Sequence, residues 1–439
     1  MNLQSFFFDF MMKTHVLYME IESVGLRVDF EKRAQLYDKY SKRFKEVNDR
    51  LTENLGYPLN VNSPRQVALT VFQHLKCPAR ANTSEETLIS LMVNTVKDGR
   101  RRQILSDIIE GRKLRKTINT YICALPDFDG RMRTSYRITG TETGRTSTSV
   151  LKPPLRWSLK HRGKKLTIGM AFQTITKHGD VGADIREMFI PDEGCAFVEV
   201  DSSQAEARIV ALLAEDHALL NLFDSGQDVH KITAGRIFKV DPSKISREER
   251  FLGKKGRHSF NYDIKKHTFM LDVNKEARKA GIDISISEWR AGKILDELYT
   301  MHPNVKSVFH AEVQRILGRD RTMYNPFGRR RVFFGRWDEQ LFREGYANIP
   351  QGTVGDNTKL AMLRTRDRIP DLRICMESHD SFTAIVPIDK IDKYAPIMAE
   401  EMSRPIDFSN CSIPRGTIII PAEVKVGYKN LKDMQDYTL

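Results

Sequence analysis

The chain has 439 residues, 40% of them apolar, enough to build two or three packed lobes. Seventy Lys and Arg against fifty-seven Asp and Glu leave a formal charge of +13, which favours a polyanionic partner, most often nucleic acid, over a basic surface kept for solubility. The five cysteines are scattered without a C-x-x-C pair and no stretch reaches membrane-spanning length, so zinc, disulfide and membrane classes recede and a reducing, cytoplasmic setting fits.

In chain order, the apolar start at residues 6–12 is broken by Asp9 and lacks a basic leader, which makes it a poor signal peptide. Residues 13 to about 125 read as mostly helical, with Leu36, Tyr40, Phe44 and Val47 at helical spacing. Asn60 to Pro64 is a turn cluster, and Pro64 suits the first turn of a new helix. Residues 108–125 read as an amphipathic helix with a cationic face: Arg112, Lys113, Arg115 and Lys116. That face is either solvated or, given the overall charge, in contact with phosphate.

From Asp127 the character changes to short strands and turns around Gly140 and Gly144. Residues 151–165 then carry six Lys or Arg, no acid, and Trp157. Such a loop suits a nucleic-acid backbone, with Trp157 free to stack, and suits a mobile surface insertion equally well. Residues 196–200 read as a buried strand ending at Asp201. A Ser202-Ser203 turn follows, with serine as N-cap of a helix from about Gln204 that carries Glu206 and Arg208. A carboxylate at a strand end can hold a hard divalent metal against a phosphate, or can simply finish the strand.

Farther on, a helical run carries Arg250, Lys254, His258 and Tyr262, each four residues from the last. Neighbours in that series lie about 6 Å apart along the axis and drift by roughly 40°, so they share a ridge. Two cations followed by two rings can hold a triphosphate at one end and stack a base at the other; many such ridges are only solvated. Residues 326–332 add a basic turn, and residues 342–366 turn at Pro350 and continue as a helix. Last, residues 372–387 read as two strands joined at His379-Asp380-Ser381, with Leu372, Ile374 and Met376 alternating on one arm and Phe382, Ala384 and Val386 on the other. A second carboxylate at that hairpin tip can share metals with Asp201.

Together these residues resemble the family A DNA polymerases, over nearly the whole chain from about Gly25 to the final VKVGYKNL. DSSQAEAR at 201–208 resembles the family's motif DYSQIELR. Arg250, Lys254, His258 and Tyr262 fall on R-x3-K-x3-F/Y-x3-Y, and His379-Asp380 on His-Asp-Glu. TETGRTSTS (141–149), IREMFIPDEG (185–194), DVHKITA (228–234) and PQGTVGDNTKLAM (350–362) follow the family's order and spacing.

The resemblance implies an α+β, right-hand polymerase fold: a helical thumb (1–126, with its N-terminal segment), an antiparallel-sheet palm (127–215 and 341–439) and helical fingers (216–340). It implies template-directed DNA synthesis with two Mg²⁺ ions, or Mn²⁺ in their place, held by Asp201, Asp380 and the backbone carbonyl of Ser202. His230, Arg250 and Lys254 would bind the triphosphate, with Lys254 protonating the departing pyrophosphate because it is a titratable donor. Gln204, His258 and Tyr262 would complete the dNTP pocket, Tyr262 stacking at the template side, and Glu206 would exclude a 2′-hydroxyl. Arg145, Arg343, Gln351, His379, Lys113 and Lys116 would contact primer and template.

The implied partners are primed DNA and dNTPs, for a monomer, with a separate exonuclease or processivity factor to complement it. The chain begins close to the thumb-like segment, which leaves no room for the family's proofreading exonuclease; the expectation is a fragment or a short polymerase without intrinsic 3′–5′ proofreading. Departures from the family pattern are Ser202 for Tyr, Ala205 and Ala207 for bulky residues, His258 for Phe or Tyr, Asp263 for Gly and Ser381 for Glu. They keep two alternatives open: a palm-fold polymerase of relaxed sugar or template choice, and an inactive module that binds primed DNA.

Overall fold

The computed structural model describes residues 3–151, 160–161, 164–165, 168–177 and 179–439. The basic segment at 152–159, Trp157 included, lies outside the described residues.

The first lobe is helical because its apolar residues recur three and four apart and its helix starts are capped. Helix α1 (Lys13–Val24) ends at Gly25, whose φ of 60° turns the chain into strand β1 (Leu26–Val28). Helix α2 (Phe30–Leu55) starts behind Asp29, which accepts from the Lys32 amide, and ends at left-handed Gly56. Pro64 takes the first turn of a short helix behind Ser63. Helices α3 (Glu85–Asn94) and α4 (Gly99–Lys116) are capped by Ser84 and Asp98 and pack with α2 over Leu36, Tyr40, Val47 and Leu51. Arg112 turns inward, its Nε donating to the Val61 carbonyl at 2.6 Å, so only part of the expected cationic face is outside. Strand β2 (Arg131–Met132) and strand β3 (Phe189–Ile190) flank β1 and join this lobe to the centre.

Strand β4 (Cys195–Ser202) leads through α5 (Ala205–Leu213) into a second helical lobe. This lobe contains α6 (Val229–Phe238), α7 (Arg247–Phe260), α8 (Lys266–Lys279) and α9 (Glu288–Met301) around Leu252, Phe260, Phe269 and Leu298. The chain then returns along α10 (Glu339–Arg368). The turn expected at Pro350 is absent: α10 runs straight through it. Ile349, Pro350 and nearly every residue from 352 to 363 are buried, and that packing outweighs the lost backbone hydrogen bond. Gly352 permits the contact, since a Cβ there would sit 2.8 Å from the Thr143 carbonyl oxygen.

Strands β5 (Arg373–Glu377) and β6 (Ser381–Pro387), helix α11 (Ile391–Met402), strand β7 (Ala422–Gly427) and strand β8 (Gln435–Asp436) complete a sheet in the order β5-β6-β4-β7-β8, antiparallel throughout. The sheet is covered on both faces. Ala196, Val198, Val200, Phe382, Ala384 and Val386 enter a core with Leu17 and Met398, whereas Phe197 and Ile385 enter the first lobe's core. The alternation expected on the first hairpin arm holds only to Ile374; a register shift before Met376 sends that side chain to the opposite core. By the same period of two, Glu199 and Asp201 share the face opposite Val198 and Val200.

Candidate active site

An acidic wall stands at the end of the central strands. The register pairs Asp201 with Ser381 on one side and with Glu423 on the other, and Glu199 with Thr383 and Lys425. Asp380 precedes Ser381 in a turn fixed three ways. Ser378 N–H donates to the Ser381 carbonyl at 2.8 Å, Asp380 N–H to the Ser378 carbonyl at 2.7 Å, and Ser202 N–H to the Asp380 carbonyl at 2.9 Å. His379 sits at φ 59°, a left-handed conformation supported by Thr358, whose hydroxyl donates to its carbonyl at 3.1 Å, and by Glu377, which accepts its amide.

Burial raises the Asp201 carboxyl above its usual range, against the pull of Lys177. Burial and the Asp201 charge push Asp380 up to about 7. Two desolvated carboxylates that resist ionising side by side are a place for a cation. A stand-in already lies there: Lys177 Nζ donates to Asp201 Oδ2 at 2.8 Å, to Glu199 Oε1 at 3.1 Å and to Ser381 Oγ at 3.3 Å. The available donors are all oxygen, which fits a hard divalent ion such as Mg²⁺ or Mn²⁺. Among the described residues no three His, Cys, Asp or Glu side chains converge as a ready-made metal cage, so the donor set centres on this pair.

A basic wall faces it. Helix α7 begins with a reciprocal capping box between Ser246 and Glu249 and buries Leu252, Gly253, Gly256 and Phe260 on one side. Arg250 and Lys254 remain on the other. Arg250 Nε donates to Asp228 at 2.7 Å, and Asp228 also caps α6 through the His230 and Lys231 amides. Burial, then the charges of Lys254 and Arg250, lower His230 to about 4, so its imidazole is neutral at physiological pH. Burial and Arg250 also lower Lys254. The two walls enclose a cleft of about 750 Å³ lined by Asp201, Asp380, Glu206, His230, Arg250, Lys254 and His258. Gln204 Oε1, His230 Nδ1 and His379 Nδ1 are buried there or at its edge with no protein partner, as expected of groups that meet a ligand.

Glu206 closes the floor. It accepts from Arg145 and from the Tyr262 hydroxyl. Burial opposes its ionisation, yet Arg145, His258 and Tyr262 together hold its carboxyl below the ordinary value.

The structure alters two sequence expectations and gives partners to two groups of cations. No serine caps α5: the strand runs through Ser202 and the chain turns at Ser203, so the helix starts one residue later and its N-cap is Gln204 at φ 52°, without a side-chain cap. Tyr262 is not on the ridge helix, which ends at Phe260, but in the following turn, where His258 meets it edge-on at 6.0 Å. The basic turn at 326–332 is partly neutralised: Arg329 pairs with buried Asp356 at 2.7 Å and Arg331 with Glu344 at 3.0 Å. Arg145 is engaged by Glu206 and is not a free cation.

Of the remaining candidates, Gln351 lies on α10 and interacts with the Tyr262 hydroxyl. Arg343, two turns earlier, reaches toward Glu339 and does not line the cleft. Lys113 and Lys116 lie along a separate groove, where α4 approaches Lys279. Glu199, Lys177, Glu423 and Asp228 are site residues that the sequence reading does not single out; Glu199 carries a signal, two residues before Asp201 on a strand, and Asp228 opens the segment DVHKITA, whereas Lys177 and Glu423 carry none.

The sequence profile of DNA polymerase family A matches residues 31–431. The chain belongs to DNA polymerase family A. It is 28% identical to DNA polymerase I of Chloroflexus aurantiacus, over 88% of this chain and 39% of that protein. It is 27% identical to a thermostable DNA polymerase I of Thermus thermophilus, over 87% of this chain and 44% of that protein. The chain thus spans less than half the length of these curated relatives. Among solved structures, the POL domain of Pol1 from M. smegmatis, in complex with DNA primer-template and dNTP, superposes with a TM-score of 0.78 at 21% identity, covering 98% of this chain and 71% of that one. The fold is therefore the right-hand polymerase fold of family A, with the antiparallel sheet as its palm. Divalent metals are general to the family. No helix among the described residues is long and apolar enough to cross a membrane.

Proposed function

We propose that this family A chain is a template-directed DNA polymerase that adds dNTPs to a primer 3′-hydroxyl. One observation carries the reading: the paired carboxylates Asp201 and Asp380 face the cations Arg250 and Lys254 across a single cleft. Asp201, Asp380 and the Ser202 carbonyl would hold Mg²⁺. When bound, the metal pair supplies charge neutralisation for the attacking and leaving oxygens. His230, Arg250 and Lys254 would grip the triphosphate, and Lys254 Nζ, with its lowered pKa, would hand a proton to the pyrophosphate.

Glu206, held by the Tyr262 hydroxyl and, before DNA binds, by Arg145, would present a wall to the sugar that disfavours a 2′-hydroxyl. Arg145 would leave Glu206 to reach the minor-groove edge of the primer-terminal pair, with Gln351, His379 and Arg343 farther along the duplex and Lys113 and Lys116 on its backbone. In this reading residues 1–126 are the thumb, 216–340 the fingers, and 127–215 with 341–439 the palm.

Purified full chain should extend a primed template with dNTPs and Mg²⁺, as a monomer, and Asp201→Ala should not; extension by that variant at the parent rate refutes the assignment. A mismatched primer in the same assay reports any 3′–5′ trimming. A second reading, a primed-DNA-binding module without activity, draws on Ser381 and on Lys177 seated at Asp201; tight binding of primed DNA with no extension in Mg²⁺ or Mn²⁺ would select it.

A further inference from the structure

The cleft face of the sheet carries a carboxylate that the proposed mechanism does not use. Glu199 lies two residues before Asp201 on β4, on the same face, and its side chain is 3% exposed. Lys177 Nζ meets its Oε1 at 3.1 Å, while Oε2 is buried with no partner. A buried carboxylate with half its acceptor capacity unmet is costly unless something else is served there. The same ammonium lies 2.8 Å from Asp201 Oδ2 and 3.3 Å from Ser381 Oγ. Ser381 stands where the family pattern has a carboxylate, and Glu199 is the acid next to Asp201 on the same face of β4.

We infer that Lys177 and Glu199 form an internal counter-ion relay for the metal-binding carboxylate Asp201. In the metal-free protein Lys177 spans Glu199 and Asp201 and neutralises both. When a divalent cation takes Asp201, the ammonium withdraws onto Glu199, whose free Oε2 completes its coordination by hydrogen bonds. Glu199 is then a parking place for the lysine and not a metal ligand; both are positioning residues. The side chain of Lys177 is long enough to shift between acceptors two residues apart on one strand face, and it is one-third exposed, so the movement needs no opening of the core. The inference rests on the polymerase reading only for the purpose of the metal, not for the exchange itself.

The test is Mn²⁺ binding to the full chain without DNA or nucleotide, followed by the electron paramagnetic resonance of the free ion, for parent, Lys177→Gln, Glu199→Gln and the double variant. Thermal melts confirm folding. Removing the competing ammonium should tighten Mn²⁺ binding by about threefold or more, the scale of a partly exposed ion pair. Glu199→Gln alone, which leaves the lysine only Asp201, should weaken binding by a similar factor. In the Lys177→Gln background the same change should shift affinity by less than about twofold, because the coupling between the pair is gone. Unchanged or weaker Mn²⁺ binding by Lys177→Gln overturns the relay. So does a full loss on Glu199→Gln in the double variant, which would make Glu199 a ligand. Primer extension by the parent chain is scored separately, so failure of the polymerase reading and failure of the relay remain distinguishable.

Discussion

The two walls of the cleft are built by different means. The acidic wall is a product of strand register: Asp201, Ser381 and Glu423 meet because three antiparallel strands pair residue by residue. Moving the central strand by one position would turn Glu199 and Asp201 to its opposite, apolar face. The basic wall hangs on one helix, with long side chains on a rigid backbone. Gly253 lets α7 press on α6, since a Cβ there would fall 2.6 Å from the His230 carbonyl oxygen. Placement on the sheet is therefore exact to a residue and cannot be shared, whereas the cations are several and can substitute for one another in part.

If that contrast is right, the largest effect belongs to the sheet. Asp201→Asn keeps the shape and removes one charge of the pair, and should lower primer extension by at least about 10³-fold, as loss of a central electrostatic group does. Residual extension within tenfold of the parent rate would mean that the acidic wall is as redundant as the basic one.

The second effect concerns the stability of the helical lobe. His310, 4% exposed, stacks on Tyr346 at 3.8 Å, and its Nε2 donates to the Asn261 carbonyl at 2.8 Å. Burial lowers its pKa to about 4. The unfolded chain takes up the proton first, near pH 6.5, so the contribution is complete above that value and is lost as pH falls toward 4. The difference amounts to about 3 kcal/mol. Urea melts at pH 7.5 and 4.5 should show the parent chain losing more stability than His310→Gln by most of that amount, with His230, also lowered to about 4, contributing alike to both; an equal loss in the two proteins would remove His310 from the account.

How far the sequence disclosed the site follows the same division. Asp201, Glu206, Arg250, Lys254 and His230 lie in short local patterns, and all line the cleft. The hairpin that carries Asp380 was readable from its turn and its apolar arms. What escaped depends on distant pairing or on local rules overridden by packing. Lys177 meets Asp201 across 24 residues of sequence, with nothing nearby to announce it. Pro350 obeyed its burial and not its ring. Tyr262 kept the spacing of four, but the helix beneath it had already ended at Phe260, and Asp263 follows at φ 51°.

On the basic wall, Lys254→Met should cost about 10²-fold in the rate of chemistry, as loss of a general acid does, with little change in dNTP affinity. In the proposed mechanism Arg250 and His230 would remain to hold the phosphates. Pre-steady-state extension separates the two terms; a loss confined to affinity would make Lys254 one more phosphate clamp and strengthen the case for redundancy.

The smallest effect tests the floor where the walls meet. Glu206→Ala removes the acceptor shared by Arg145 and Tyr262, leaving a buried guanidinium and phenol without their common partner. The proposed sugar wall would be lost with it. Discrimination of dNTP over rNTP should fall by roughly tenfold, since a pocket that rejects one added hydroxyl by contact supplies little more than that. Both walls are untouched by this change, so dNTP insertion should persist, and their separate roles would remain measurable in the same variant. A variant that stops inserting dNTPs altogether would instead place Glu206 within the acidic wall, joined to Asp201 through the turn at Ser202 and Ser203, and the division into two independently built walls would fail at the point where the strand becomes a helix.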